Sequence, residues 1–323
     1  MILYILRRLL LIIPILIGVT FFLFLLLAVS PGDPAKIILG NIATEEELEM
    51  FRDQVGLNDP LLVQYGRYML DAVTGNLGTS YHTKQSVNSM IGARVGTTLF
   101  LSFTSMFLCI AIAMPLGIQM AVKQNTLFDN SMRVITIILT SMPLFWLAMM
   151  LILLFTVTLN WLPSSGLGSF KQAIMPIFCL SCQGITMCAR TGRSSMLEVI
   201  NQDYIRTARA KGLRRRYIIR RHALKNALLP MVSVYGRIIA TCFSGSVVME
   251  SVFGINGIGT MMTYALRQKD IPAIMGSVFI SAMVITVVNL LTDLTYAFID
   301  PRIRSMYSLK KGKTKLKVVA EGA

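Results

Sequence analysis

Residues 191–230 read TGRSSMLEVINQDYIRTARAKGLRRRYIIRRHALKNALLP, and the rest of the chain takes its meaning from this stretch. Ten basic residues lie between Arg193 and Lys225, against only Glu198 and Asp203. Apolar windows at 172–189 and 231–252 flank it. Each approaches the roughly 20 mostly apolar residues that a bilayer-spanning helix needs. Working outward, windows at 134–159, 98–122 and 9–29 come before and one at 274–299 comes after. Residues 32–96 are too polar to supply a seventh. The runs are unbroken, whereas a membrane barrel strand alternates over about ten residues. The predicted fold is an all-α integral membrane protein with six transmembrane helices.

Composition agrees. Of 323 residues, 54% are hydrophobic and 15% charged, with a mean hydropathy of +0.64; a soluble domain carries about 25% charged residues. A water-soluble enzyme and a disordered chain are both excluded. The net charge of +15 would suggest nucleic acid on a soluble protein, but on an apolar chain it marks cytoplasmic loops. Two His and five scattered Cys give neither a zinc pattern nor a disulfide framework. With the N-terminus inside, the inner segments hold 22 of the 31 Lys and Arg and the outer ones eight, with Arg237 inside a span. Both termini are therefore predicted to be cytoplasmic. Arg7 and Arg8 before the first window imitate a signal peptide. The apolar run is longer than the roughly 7–15 residues of such a segment, however, and Pro31 follows Ala28-Val29-Ser30, so a retained helix is expected.

Two long excursions remain, one after the first window and the other the opening stretch itself. Within the latter, Ser194 or Ser195 is predicted to cap a helix through Met196, Leu197, Val199 and Ile200. Asn201–Asp203 interrupt, residues 204–211 form a second short helix, and Gly212 supplies the positive φ of a sharp stop. A further run, 217–228, is expected to end at Pro230. Short helices broken by a glycine beside a membrane suit a knob that fits another protein's cleft. Plain positive-inside bias with contacts to anionic lipid heads is the alternative. RNA binding is disfavoured, because no aromatic platform accompanies the charge.

The run Asp203-Tyr204-Ile205-Arg206-Thr207-Ala208-Arg209-Ala210-Lys211-Gly212-Leu213, with His222-Ala223-Leu224-Lys225-Asn226-Ala227-Leu228-Leu229-Pro230, resembles the "EAA" coupling loop of permease subunits in binding-protein-dependent ABC importers. It is similar to the dipeptide/oligopeptide/nickel branch, with the family's Glu-Ala-Ala falling on Arg206, Thr207 and Ala208. Tyr4–Leu9, Pro31–Pro34, Gly56–Leu61, Gln64-Tyr65, Asn76–Ser80, Met142-Pro143, Phe145-Trp146, Trp161–Pro163 and Asp300–Arg304 recur in the branch in the same order. Asn256 departs from it, since many relatives carry Pro there. The resemblance implies a type I ABC importer transmembrane domain in a bacterial or archaeal plasma membrane. It further implies that residues 204–213 dock on one of two cytoplasmic ATP-binding subunits, with His222, Leu224, Asn226 and Pro230 in support. A second homologous permease subunit making a heterodimer and an extracytoplasmic substrate-binding protein complete the implied partners, besides membrane lipids; no nucleic acid is expected. The implied cargo is short peptides, with nickel or another chelate as the alternative.

No cofactor is expected in this chain, with ATP and Mg belonging to the partner ATPases. Gly312-Lys313-Thr314 imitates the end of a phosphate-binding loop, but the earlier glycine position holds Tyr307 and no strand precedes it. The expected domains are 1–30, an extracytoplasmic loop domain at 31–97, a core at 98–300 containing the coupling loop 191–230, and a basic tail at 301–323. Within the loop domain, Thr44 and Glu47 form a capping box ahead of Leu48, Met50 and Phe51. Eight acids against five bases there suit a platform for a soluble binding protein.

Polar residues inside spans mark function or interhelical contact. Thr286, Asn289, Asp293 and Tyr296 fall on one stripe of the last helix, which lines a path or seals a subunit seam. Glu250 is expected to reach water or an outer gate, and Arg237 to snorkel inward. Gly236, Gly245, Ser244 and Ser246, with Gly184, Ser181 and Cys182, permit close approach at a pore wall or seam. The 21 Met and the trio Cys179, Cys182 and Cys188 read as apolar filling rather than a metal path. An ion-coupled secondary transporter is the competing class, but few buried carboxylates support it. An intramembrane enzyme lacks its constellation, since His82 and His222 fall on opposite sides.

Overall fold

The computed structural model describes residues 2–30, 32–40 and 43–299, apart from the side chains of 2–9, 229, 232, 233, 293 and 296–299. The expected basic tail and the Asp300–Arg304 motif lie outside the described residues. Among these there is no strand, only an isolated bridge between Thr79 and Ser86. The helices are α1 (Ile2–Val29), α2 (Pro34–Leu39), α3 (Glu45–Val55), α4 (Leu61–Val73), α5 (Val87–Val122), α6 (Leu127–Ser141) and α7 (Leu144–Leu151), which runs on as a π-helix over Ile152–Thr158. Then come α8 (Phe170–Ile200), α9 (Asp203–Ala210), α10 (Arg215–Tyr217) with a π-helix at Ile218–Ala223, α11 (Leu224–Val252), α12 (Ile258–Arg267) and α13 (Ile271–Ile299).

The core is α5, α8 and α11. Leu101, Met175, Cys179, Met249 and Phe253 cluster at one end, and Cys109, Ile185, Cys188, Val234 and Ile238 in the middle. Ala121, Met196, Ile205 and Ala227 cluster at the other end. α5 and α8 therefore run parallel, with α11 antiparallel to both. Glycine permits the close approach. A Cβ on Gly184 would stand 2.8 Å from Cys109 Sγ, and one on Gly117 would stand 2.7 Å from the Ala189 carbonyl oxygen. α13 lies on α11, and α1 on α13.

Among the described residues, four helices are long and apolar enough to cross a membrane: Leu10–Val29, Val87–Val122, Phe170–Ile200 and Ile271–Thr292. The window expected at 134–159 is not a straight span. It is divided between Leu127–Ser141 and Leu144–Thr158, which meet at 104°. Pro143 lacks an N–H and drives Met142 into an extended conformation (φ −81°, ψ 126°), which ends α6. The bent pair still joins the two ends of the bundle. Asp129 at its start meets Arg193 of α8, while Gly166 beyond it donates to the Phe253 carbonyl at 2.9 Å.

Other boundaries also moved. α5 begins at Val87, eleven residues before its apolar window. Neither Ser194 nor Ser195 caps a helix, because the buried stripe Cys188, Gly192, Ser195 and Met196 carries α8 through to Ile200. Pro230 does not end a helix either. The buried positions Ala227, Met231, Val234 and Ile238 keep helical spacing across it, so packing outweighs the lost backbone hydrogen bond. α11 also contains the window expected at 231–252.

The loop between α1 and α5 folds onto the Phe253 end. Thr44 and Glu47 make the expected capping box, with Thr44 N–H to Glu47 Oε2 at 2.8 Å. Leu48 and Phe51 are buried with Ala35, whereas Met50 is exposed. Asp33 caps α2 through the Ala35 N–H at 2.9 Å and also binds Arg52. Asp270, buried just before α13, accepts from the Ser80 hydroxyl and from the Tyr81 N–H at 3.0 Å, which ties the loop to the bundle.

Candidate functional site

At the opposite end, α9 projects as a knob. Its apolar residues Ile205 and Ala208 are buried against Met196, Ile218 and Ala223, and this fixes which way the helix faces. Every other residue from Asn201 to Tyr217 is exposed, including Arg206, Thr207, Arg209, Ala210 and Lys211. The helix stops as predicted. Gly212 has φ +76°, with its N–H on the Arg209 carbonyl at 2.9 Å and the Leu213 N–H on the Ala208 carbonyl at 3.3 Å. This is a Schellman stop. A Cβ at Gly212 would meet no atom within 4 Å, so glycine is required there by conformation and not by space.

Four contacts hold the knob to the bundle. The Asn226 amide donates to Tyr204 Oη at 2.8 Å, joining α9 to the start of α11. Arg215 donates to the Val122 carbonyl at 2.8 Å, at the end of α5. His222 stands edge-on to Tyr217, with ring centroids 5.7 Å apart, and Leu224 packs on the cluster around Ile205. Pro230 lies farther up α11, beside an open cleft. Beneath the knob, fully buried Asp129 takes both Arg193 Nε at 2.7 Å and Nη2 at 2.8 Å, besides the Asn125 N–H at 3.0 Å. Sequence reasoning missed Asp129, although Thr126 three residues before it is a readable N-cap.

The remaining candidates do not gather at the knob. Glu250 faces no water. It is fully buried and takes the Thr98 hydroxyl at 2.7 Å and the N–H groups of Gly259 and Thr260 at 2.7 and 3.2 Å. A Cβ on Gly245 would touch Leu180 and Leu144 within this chain. Gly184, Ser181 and Cys182 are likewise internal, and so are all five cysteines. Asn289 is exposed on α13, and the Asp293 side chain lies outside the described residues. A cleft of about 780 Å³ between α6, α8 and α11 is lined by Gln183, Thr186, Arg190, Ser194, Glu198 and Thr241, among others. Among the described residues, no group of three His, Cys, Asp or Glu could hold a metal ion.

Residues 113–305 match the family described as binding-protein-dependent transport system inner membrane component, and residues 1–102 match its N-terminal region. The chain belongs to this family. Related chains include the dipeptide transport system permease protein of Alkalihalophilus pseudofirmus, 37% identical and covering 94% of this chain and 100% of that one. The oligopeptide transport system permease protein of Bacillus subtilis is also 37% identical, and the glutathione transport system permease protein of Salmonella paratyphi A is 36% identical. Each of these two covers 93% of this chain and 98% of its own.

This inner membrane component is thus a permease subunit of an ABC importer, a membrane-embedded translocation subunit and not an ion-coupled secondary transporter. Its fold is that of the type I importers. An inward-facing methionine ABC transporter, MetNI, superimposes with a TM-score of 0.56 at 22% identity, over 65% of this chain and 96% of that one. The family's N-terminal match takes in α1 and the loop folded against Asp270.

Proposed function

We propose that this permease subunit pairs with a second, homologous permease to form the path by which short peptides enter the cytoplasm. Two cytoplasmic ATPase subunits drive the cycle, and one of them grips residues 204–213. An extracytoplasmic binding protein delivers the cargo to the acidic loop, so both termini face the cytoplasm. Peptide cargo is supported by the dipeptide, oligopeptide and glutathione systems to which the related permeases belong.

The observation that carries the coupling role is the construction of α9. Two inward apolar side chains seat a helix whose other residues all face outward. A seated helix moves as a unit, where a loose loop would absorb displacement. Cysteines placed at Thr207 and Ala210 are expected to crosslink to the ATPase subunit in the detergent-solubilised complex, and the co-purified binding protein is expected to carry peptide. A knob that crosslinks only to lipid, or that is labelled from outside the cell, overturns this assignment.

A further inference from the structure

Arg237 stands near the middle of α11, thirteen residues after Leu224 and fifteen before Val252. At about 1.5 Å per residue it is some 20 Å from either end of the helix and about 9 Å inside the apolar window at 231–252. Its neighbours fix its depth: Ile238 lies against Gly184, and Gly236 against Thr292. The side chain is exposed and has no partner among the described residues. A bare guanidinium at such a depth is costly against lipid tails and marks a water-filled path.

The surface around it supports this. Arg237, Thr241, Ser244 and Ser251 are exposed on one stripe of α11, with Val248 among them. The exposed face of α1 is of the other kind: Leu10, Leu11, Ile13, Ile15, Val19 and Phe22, apolar throughout. A face turned to lipid in this chain is thus recognisable, and the α11 stripe is not one. The stripe enters the cleft at Thr241, where Arg190 and then Glu198 follow along α8. Gly192 is level with Met231 and Gly184 with Ile238, so Arg237, Arg190 and Glu198 succeed one another toward the knob end.

Elsewhere an arginine that serves the fold has its acceptor close by. Arg193 has Asp129, Arg52 has Asp33 and Glu49, Arg67 has Asp59, and Arg94 has Asn256 and the Met90 carbonyl. Arg237 and Arg190 have none among the described residues. We infer that Arg237 receives the C-terminal carboxylate of the peptide in transit and hands it inward to Arg190. The guanidinium fork matches a carboxylate with two parallel N–H bonds, a match that a lysine does not reproduce. This inference rests on the peptide-path reading and adds the chemical group that the path recognises.

The test uses the complete transporter in proteoliposomes with its binding protein and ATP. Trialanine and trialanine amide are each supplied well above what saturates the binding protein. Wild type should move the free acid about fivefold faster per ATP than the amide, as expected for loss of one charge-assisted pair. R237Q should bring the two rates within about twofold by slowing the acid alone, and R237K should retain part of the preference. Equal rates in wild type, an unchanged ratio in R237Q, or equal slowing of both peptides overturns the inference while leaving the peptide reading intact. Movement of neither peptide by wild type overturns both. Because the Arg237 side chain has no hydrogen-bond or ion-pair partner among the described residues, the melting temperature of the assembled R237Q transporter should match that of wild type, which separates a lost contact from a damaged protein.

Discussion

In the loop of residues 33–86 most of the carboxylates are used by the chain itself. Asp33 holds Arg52, Asp59 holds Arg67, and the loop turns in at Ser80 and Tyr81 to reach Asp270. The knob at the far end of the bundle is left open by comparison. Arg206 meets only Asp203 on its own helix, at 3.7 Å with both side chains largely in solvent, and Arg209, Lys211, Arg214 and Arg216 have no partner among the described residues. Charge in the loop is largely paired within the chain, and charge on the knob largely is not among the described residues. What the knob does receive from the bundle is placement, through Ile205, Ala208, Tyr204 and Arg215.

This contrast can be broken from below. Asp129→Ala leaves Arg193 partly buried without its acid, and one-sided loss of such a pair costs about 3–5 kcal/mol. The yield of folded protein in membranes and its melting temperature should fall sharply, more than for any substitution on the knob surface. Gly212→Val acts on the knob alone. A β-branched residue at positive φ costs about 1–3 kcal/mol, which weakens the seated pose of α9. ATP hydrolysis should persist in the assembled transporter while uptake falls by about tenfold; normal uptake would remove the coupling role.

Asp270→Ala probes the loop end. It strands the Ser80 hydroxyl and the Tyr81 N–H at a cost of about 1–3 kcal/mol. Hydrogen exchange should quicken at 79–86 and stay unchanged at 203–213. Asp33 gives a pH handle. Burial works to raise its pKa, but the Arg52 bond, the Ala35 N–H and nearby positive charge outweigh it and hold the carboxyl below its ordinary value of 3.8. A carboxyl depressed on folding contributes its full stability above the unfolded value and loses it as pH falls through the folded one. Exchange at Ala35 and Arg52 should therefore rise only below about pH 4, with the knob unaffected. Smallest of all, Tyr204→Phe removes one hydrogen bond, worth about 0.5–1.5 kcal/mol, and should loosen α9 slightly.

Local signals in the sequence survived the comparison. The Thr44 capping box, the α9 helix and the positive φ at Gly212 each depend on residues within one or two turns, and each stands where expected. What failed depended on distant partners. Glu250 looked like a wetted acid near a helix end because Thr98 lies 152 residues away. Asp129 went unnoticed because Arg193 is 64 residues on. Ser194, Ser195 and Pro230 are good local stop signals, but they were overridden by buried stripes that only the packed bundle reveals. Met142-Pro143 was legible as a motif, yet its apolar surroundings disguised a corner as a straight span.

The seat of Glu250 has a mechanical corollary. Four early amides at the start of α12 are satisfied from three sources: Gly257 by Thr260 Oγ1, Ile258 by Thr98 of α5, and Gly259 and Thr260 by the Glu250 carboxylate of α11. A short helix gripped in this way cannot pivot on its own, because any swing would strand several polar groups in a dry interior at once. α5, α11 and α12 are thereby geared together at that end, and a rotation begun in one is delivered to the threshold of α13 without slack.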